Sequence, residues 1–146
     1  MDHLHFATAL RSLALAAWFG GGLATIFATS AVFARAESRK VAGDFAGAIL
    51  LRTNRLRVLA ALLFALSALL GASGPAIWLG GGCVLLQAAS IPVDVATRRI
   101  RRALGGNVDA LAPGDPRRRR FGALHGLAML LLVLQVLLGA AGLVVQ

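Results

Sequence analysis

The stretch SLALAAWFGGGLATIFATSAVF, from Ser12 to Phe33, contains no charged residue over 22 positions. As an α-helix it would extend about 33 Å, which matches a hydrocarbon core about 30 Å thick. In the whole chain of 146 residues, 58% are hydrophobic, which exceeds the roughly 45–50% typical of soluble domains. The stretch therefore predicts a transmembrane helix rather than a helix buried in a soluble domain.

Three further apolar runs predict three more spans. The second run is short, but the preceding FAGAILLRTNRLR (45–57) is compatible with a helix and extends it. Between the second and third runs, GASGP (71–75) consists of turn-forming residues and predicts a tight connection. We therefore expect an all-α integral membrane protein, a four-transmembrane-helix bundle forming one domain over 1–146. Its spans cover about 12–33, 50–73, 76–94 and 121–145.

The charges predict a direction for these spans. The chain carries 15 Lys and Arg against 6 Asp and Glu, a formal charge of +9. Nucleic-acid-binding proteins share such an excess, but here the charges lie between long apolar runs, so we expect a lipid bilayer and no nucleic acid as partner. Six basic residues fall in 34–57 and eight in 94–120, which leaves Arg11 alone on the other side. The positive-inside rule places both loops in the cytoplasm and both termini outside.

A cleavable signal peptide is the competing interpretation of the first run. The region before such a signal's apolar core should be basic, whereas MDHLHFATAL contains no Lys or Arg and Arg11 comes late. The run is also longer than the roughly 7–15 residues of a signal core. Both features favour a retained first helix.

Two similar stretches indicate an internal repeat. AAWFGGG (16–22) returns as AIWLGGG (76–82), and 52–74 aligns with 120–142. The offset grows from 60 to 68, which places eight extra residues in the second basic loop. We expect two tandem helical hairpins, parallel repeats about an axis along the membrane normal. Chance similarity between Ala-, Gly- and Leu-rich helices is the alternative. In this register Arg57 corresponds to His125, each about one turn inside the cytoplasmic end.

The glycines of these stretches predict helix packing rather than phosphate binding. A phosphate loop needs a strand, a Gly-rich turn and a helix start, and both triplets instead lie inside apolar runs. In lipid, small residues let helices approach closely, within one chain, between copies or with another membrane protein. Trp18 and Trp78 are predicted to anchor at the outer interface. The predicted packing positions are Gly20, Gly21, Gly22, Gly80, Gly81, Gly82, Gly122 and Gly126.

Ionisable residues near the cytoplasmic end of the spans form a candidate site. His125 lies inside span four, and Asp94, Arg55 and Arg57 lie at a similar predicted depth. Charged groups inside spans are costly and often functional, so these four residues form the predicted polar cluster, in which Asp94 pairs with Arg55 or Arg57. A purely structural network of ion pairs is the competing interpretation.

Three uncharged residues with side chains that can form hydrogen bonds lie deeper in the spans. Gln87 and Gln135 are mid-span, and their amides are expected to hydrogen bond across helices. In a transporter they would line a path. Cys83, the single cysteine, lies in an apolar run and is interpreted as a small packing residue.

Signatures of cofactors and catalysis are weak. His5 and His125 are nearly a bilayer apart, about 30 Å, too far to ligate one haem within a chain, and pairing of His125 between two copies has no support. His3 is a weak candidate for Cu(II) or Ni(II) binding with the terminal amine. The sequence has no paired membrane carboxylates, no Ser-His-Asp order and no Cys/His zinc spacing. We predict no catalytic residues, no enzymatic activity, no cofactor and no resident metal.

The chain resembles the four-helix relatives of eukaryotic transmembrane protein 205, in bacteria a membrane domain of unknown function. The resemblance rests on AWFGGGLATIFATSAVFA in the first helix, VAGDFAGAILLRTNRL entering the second, and RRFGALHGLAMLLLVLQVLLG in the fourth. Phe121, Leu124 and His125 are its most specific part, whereas Ala128 and Leu132 stand where polar residues are expected. It implies a small polytopic membrane protein without an established activity. The eukaryotic member is associated with resistance to platinum drugs, which implies handling of a metal complex.

Two functions follow as expectations. The first is a non-enzymatic accessory or homo-oligomeric membrane component that acts through helix packing. The alternative is a small-solute or metal-complex transporter with His125, Asp94 and Arg57 as an inner gate. The first predicts that the small-residue face of helix one meets another chain, and the second predicts a polar cavity around Gln87 and Gln135.

Overall fold

The computed structural model describes residues 3–145, which form four long α-helices and no strand. A short 3₁₀ turn, Val108–Ala110, lies in the last connection. The predicted all-α architecture is thus confirmed for this part of the chain. The helices are α1 (His3–Arg35), α2 (Arg39–Leu69), α3 (Pro75–Ala103) and α4 (Pro116–Val144).

Helices α2 and α4 begin before their apolar runs because capping residues, rather than the ends of those runs, set their starts. Ser38 precedes α2, and its side chain accepts a hydrogen bond from the backbone N–H of Val41 at 3.2 Å. Asp115 precedes α4 and accepts one from the backbone N–H of Arg117 at 2.7 Å, with Pro116 at the first helical position. Hydrogen bonds from the Arg117 side chain and backbone hold the pKa of Asp115 below its ordinary value. The predicted extension of the second helix through 45–57 is therefore confirmed.

Three helices, α1, α3 and α4, are long and apolar enough to cross a membrane. Only 22–28% of the most apolar 18 residues of each is buried within the chain, so their apolar side chains mostly face outward. Helix α2 does not meet the same criterion, and it carries three arginines before its apolar end: Arg52, Arg55 and Arg57. A surface of this kind needs lipid or partner helices to cover it.

Helix α1 packs along both α2 and α4, and α3 packs along α4, whereas the backbones of α2 and α3 stay further apart. Large side chains bridge that gap, among them Phe64 of α2 against Gly80 of α3. The α2–α3 turn uses Gly71 and Gly74, whose φ angles of 88° and 95° favour glycine. The contact between α1 and α4 is thus closer than its counterpart in the repeat, the contact between α2 and α3.

Trp18 lies in the core, and its predicted place at the outer interface is wrong. It is 1% exposed and packs against Phe64, with ring centroids 5.9 Å apart at 56°. Trp78, its counterpart in the repeat, is 83% exposed near the start of α3. The difference arises because α1 contacts two neighbouring helices and turns its Trp inward with Ala14 and Leu15.

Four of the eight predicted packing glycines contact another helix closely. A Cβ atom would meet Leu56 at Gly21, Val136 at Gly22, Phe64 at Gly80 and Leu138 at Gly82.

The other four predicted glycines have open space where a Cβ would stand, so no helix of this chain requires glycine there: Gly20, Gly81, Gly122 and Gly126. Gly139 was not among the predicted positions, although a Cβ there would lie 3.0 Å from the backbone nitrogen of Phe19. Close approach is therefore a property of particular helix crossings and not of every glycine in a span.

The two ends of the bundle differ in charge. Both basic loops meet at one end, where Arg101 of α3 reaches α2 and donates hydrogen bonds to the Gly43 carbonyl at 2.7 Å and to Asp44 at 2.8 Å. At the opposite end, Arg11 is buried and donates to the carbonyl of Ser73 in the α2–α3 turn. The two basic segments of the sequence thus lie at one end of the bundle, and Arg11 lies at the other.

Candidate functional site

Polar side chains from all four helices meet near the middle of the bundle. Thr25 of α1 and Thr53 of α2 share a hydrogen bond of 2.6 Å. Two further bonds join α3 to α2 and to α4, and they involve the two mid-span glutamines. We call this set the polar layer; its members are Thr25, Thr53, Asn54, Arg57, Gln87 and Gln135.

The prediction that both glutamines bond across helices is confirmed. Gln87 donates to the side chain of Asn54 at 2.8 Å, and Gln135 donates to the backbone carbonyl of Cys83 at 2.8 Å. Cys83 is fully buried in the apolar core, as its interpretation as a packing residue required. Neither glutamine lines the two cavities described below.

Arg57 carries the charge of the polar layer. It is 6% exposed, and its Nε donates to the side-chain oxygen of Gln135. Its Nη2 is buried and has no hydrogen-bond partner among residues 3–145, a costly state for a cationic donor. The sequence placed Arg57 in the candidate cluster, but it gave no indication that Gln135 would be its partner.

Three of the four residues of the predicted cluster come together. Arg57, Asp94 and His125 line one small cavity of about 30 Å³, roughly the volume of one water molecule in the liquid. Arg55 is exposed and lines neither cavity, so its place in the cluster is not supported. The physical reason is helical geometry, because residues two apart project about 200° from each other.

The three residues reach this cavity from different depths. Gln135, the partner of Arg57, lies ten residues beyond His125, or about 15 Å further along α4. His125 lies on an exposed turn and stacks on Phe121, with ring centroids 6.0 Å apart at 3°. The hydrogen-bond partner of Arg57 thus lies deeper than His125, whereas the repeat register predicted equal depth for Arg57 and His125.

A much larger cleft, of about 610 Å³, opens at the basic end of the bundle. Residues from all four helices and from the α3–α4 connection line it. It shares four lining residues with the small cavity, which therefore form a neck between the two spaces: Leu50, Asp94, His125 and Ala128. Thr53 and Arg57 belong to both the small cavity and the polar layer, so the layer forms the inner wall.

The cleft and the small cavity are strongly positive. Two carboxylates, Asp94 and Asp109, line them, and Asp109 lies 3.5 Å from Arg118 and 3.9 Å from Arg39. The predicted ion pair of Asp94 with Arg55 or Arg57 is wrong: Asp94 lies within electrostatic range of Arg57 and Arg98 but forms no ion pair within 4.0 Å among residues 3–145. The cationic lining residues outnumber these carboxylates by four: Arg39, Lys40, Arg57, Arg98, Arg101 and Arg118.

Metal ligands are not grouped in the described part of the chain. Among residues 3–145, no three or more His, Cys, Asp or Glu side chains stand where they could hold a metal ion. His3 is the first residue of α1, and the other donors of its predicted site, at Met1 and Asp2, lie outside the described residues. The ionisable groups that line the cleft are arginine, lysine and histidine side chains together with the carboxylates of Asp94 and Asp109.

Comparisons with known proteins give no relative. No family model matches the chain, and no curated protein and no solved structure matches it either.

Proposed function

We propose that this chain is a four-span protein of the bacterial inner membrane, with both termini outside and the basic end in the cytoplasm. We further propose that it acts without catalysis, as an accessory or homo-oligomeric membrane component. The observation that carries the orientation is that 13 of the 15 basic residues lie toward one end of the bundle, whereas Arg57 lies in the polar layer and Arg11 at the opposite end.

Helix α2 is the fourth span in this proposal because its two connections are too short to let it avoid the membrane. Three residues join α1 to α2 and five join α2 to α3, and these two short connections lie at opposite ends of the bundle. If α1 and α3 cross the membrane in one direction, α2 has to return across the same thickness. Arg57 faces the interior, whereas Arg52 and Arg55 lie toward the basic end, where long side chains reach the headgroups.

The outer surface of α1 supports the role as a packing component. Ala16, Gly20, Ala24 and Ala28 follow one another at intervals of four and are all exposed. The neighbouring row, Gly21 and Thr25 among it, already contacts α2. The exposed row is therefore a surface of small residues open to another helix, in a second copy or another membrane protein.

Reporter fusions test the orientation. Alkaline phosphatase is active only outside the cytoplasm, so its fusion after Gln146 should be active. Green fluorescent protein fluoresces only in the cytoplasm, so its insertion in the loop at 105–114 should fluoresce. The exchanged pair of fusions is the control and should be inactive. A fluorescent fusion after Gln146 would overturn the proposed orientation.

Transport is the second candidate, and the cleft favours it because it leads from one end to the mid-bundle polar layer. A transporter has to open that layer toward the other side, which would expose Cys83 to outside reagents. An accessory component keeps Cys83 buried. Labelling of Cys83 by a membrane-impermeant maleimide applied from outside would therefore favour transport over the accessory role.

A further inference from the structure

The deepest point of the cleft contains an unused cationic donor. Arg57 lines the small cavity and is 6% exposed, and its buried Nη2 has no partner in the described part of the chain. Asp94 lines the same cavity but makes no ion pair with Arg57 within 4.0 Å. The Arg57 guanidinium thus lines a space for one small polar group while one of its donors is unpaired, and an acceptor in that space would satisfy the donor after a small shift of the side chain. An oxygen of a carboxylate, phosphate or similar anion meets that need.

The cleft outside the neck has the size and lining of a small-molecule site. Its volume of about 610 Å³ lies within the roughly 300–1,000 Å³ usual for such sites. Phe33, Leu51 and Phe121 supply apolar walls, and Arg98 adds a cation on the face of α3 that carries Asp94. A ligand that suits both features has an anionic head and an apolar body.

The local carboxylates do not cancel the positive charge. Asp109 is shared by Arg39 and Arg118, and Asp44, at the rim, pairs with Arg101. Counting Asp44 with the two lining carboxylates still leaves an excess of three cationic side chains. Asp94 is near both Arg57 and Arg98, so one carboxylate faces two cations at the neck.

We propose that the cleft binds an amphiphilic oxyanion, with its anionic head between Arg98 and Arg57 and its apolar body against Phe33, Leu51 and Phe121. Such a ligand has two sources, an anionic phospholipid of the adjacent leaflet or a soluble amphiphile. This inference rests on the cleft and on the proposed membrane protein, but not on its orientation. The result of the reporter fusions therefore does not decide it.

Two pairs of matched variants test the site in purified, detergent-solubilised protein. Gly122→Leu places a side chain in the cleft. Gly126→Leu adds the same side chain one turn further along α4, where it lies outside the cleft, and both positions have open space at Cβ. Arg98→Gln removes a cation from the cleft, whereas Arg120→Gln removes an exposed one that lines neither cavity. Neither cleft variant touches the polar layer, so each should fold.

The probes are phosphatidylglycerol and phosphatidylcholine, counted on the protein by native mass spectrometry, and dodecyl phosphate, followed by thermal stabilisation. We expect at least one probe with an anionic head to bind the parent protein, Gly126→Leu and Arg120→Gln. Binding by Gly122→Leu and Arg98→Gln should fall about tenfold, the loss expected for one charge-assisted hydrogen bond or its equivalent in contacts.

The outcomes separate the sources and can overturn the site. If the protein retains phosphatidylglycerol but is not stabilised by dodecyl phosphate, the ligand is a lipid. If dodecyl phosphate stabilises the protein but phosphatidylglycerol is not retained, the ligand is a soluble amphiphile. Equal losses in Arg98→Gln and Arg120→Gln would show nonspecific attraction to the basic end and overturn the proposal. Undiminished binding by Gly122→Leu, or binding of phosphatidylcholine as strong as that of phosphatidylglycerol, would overturn it as well.

Discussion

Gln135→Leu is expected to lower the free energy of unfolding by about 3 kcal/mol, the low end of the range for removing one partner of a buried charged group. Gln135 supplies the acceptor for Arg57 Nε and also donates to the carbonyl of Cys83. Leucine has a similar volume, so the loss comes from polar groups left unpaired and not from a cavity. Titration with SDS in mixed micelles, followed by circular dichroism, measures the change.

Two variants separate this explanation from a general sensitivity of α4. Gln135→Glu keeps an acceptor for Arg57 and should retain most of the stability. The double variant Arg57→Met and Gln135→Leu removes both polar partners, so it should be more stable than Gln135→Leu alone. A double variant as unstable as the sum of the two single variants would show that the hydrogen bond between Arg57 and Gln135 is not what stabilises this crossing.

Gly80→Ala is expected to cost about 1–3 kcal/mol, the usual range for overpacking a filled core. A Cβ at Gly80 would overlap the ring of Phe64, and that ring is held in place by Trp18. The same titration with SDS measures the change. Because Phe64 bridges the backbones of α2 and α3 here, the added methyl group has to displace the buried ring of Phe64 or push the two helices apart.

Gly81→Ala is the matched control for Gly80→Ala. The two glycines are adjacent in one helix and share its backbone geometry, but Gly81 has open space at its Cβ. We expect no loss of stability in Gly81→Ala, and a small gain from the higher helix propensity of alanine. Equal destabilisation in both variants would mean that helix flexibility, and not contact with Phe64, explains the glycine triplet.

The number and order of the helices follow from the sequence, because an uncharged run of about 20 residues has few alternatives to a helix. The ends of the helices follow less well. Helix α2 starts at Arg39, eleven residues before the predicted span, because Ser38 caps it and the residues between are compatible with a helix. A hydropathy pattern marks the part of a helix that suits lipid and does not mark where the helix begins.

The orientation of each helix about its own axis was the harder prediction. Trp18 and Trp78 are alike in sequence, yet one is buried and the other is exposed. Burial depends on which neighbouring helices each face meets, and the repeat pattern contains no signal for that. The same limit applies to Arg55 and Arg57, which the sequence grouped at one depth and the helix places on different faces.

The candidate site could be predicted in composition but not in arrangement. His125, Asp94 and Arg57 were recognisable because ionisable groups are rare inside spans. The partnership of Arg57 with Gln135 depends on how α2 and α4 are staggered, a property of packing. The cleft itself lies mainly between α2, α3 and α4, and the distance between the backbones of α2 and α3 is likewise a property of packing.

Cysteine labelling tests most directly the central claim, a membrane-embedded bundle whose cleft opens to the cytoplasm. Position 122 lines the cleft and position 126 does not, so Gly122→Cys and Gly126→Cys form a matched pair. Native Cys83 is fully buried and should not react with the maleimide. With a membrane-impermeant maleimide, Gly122→Cys should react in inside-out vesicles and stay unlabelled in right-side-out spheroplasts, and Gly126→Cys should stay unlabelled in both. Labelling of Gly122→Cys from the outside, or equal labelling of both variants, would contradict the account.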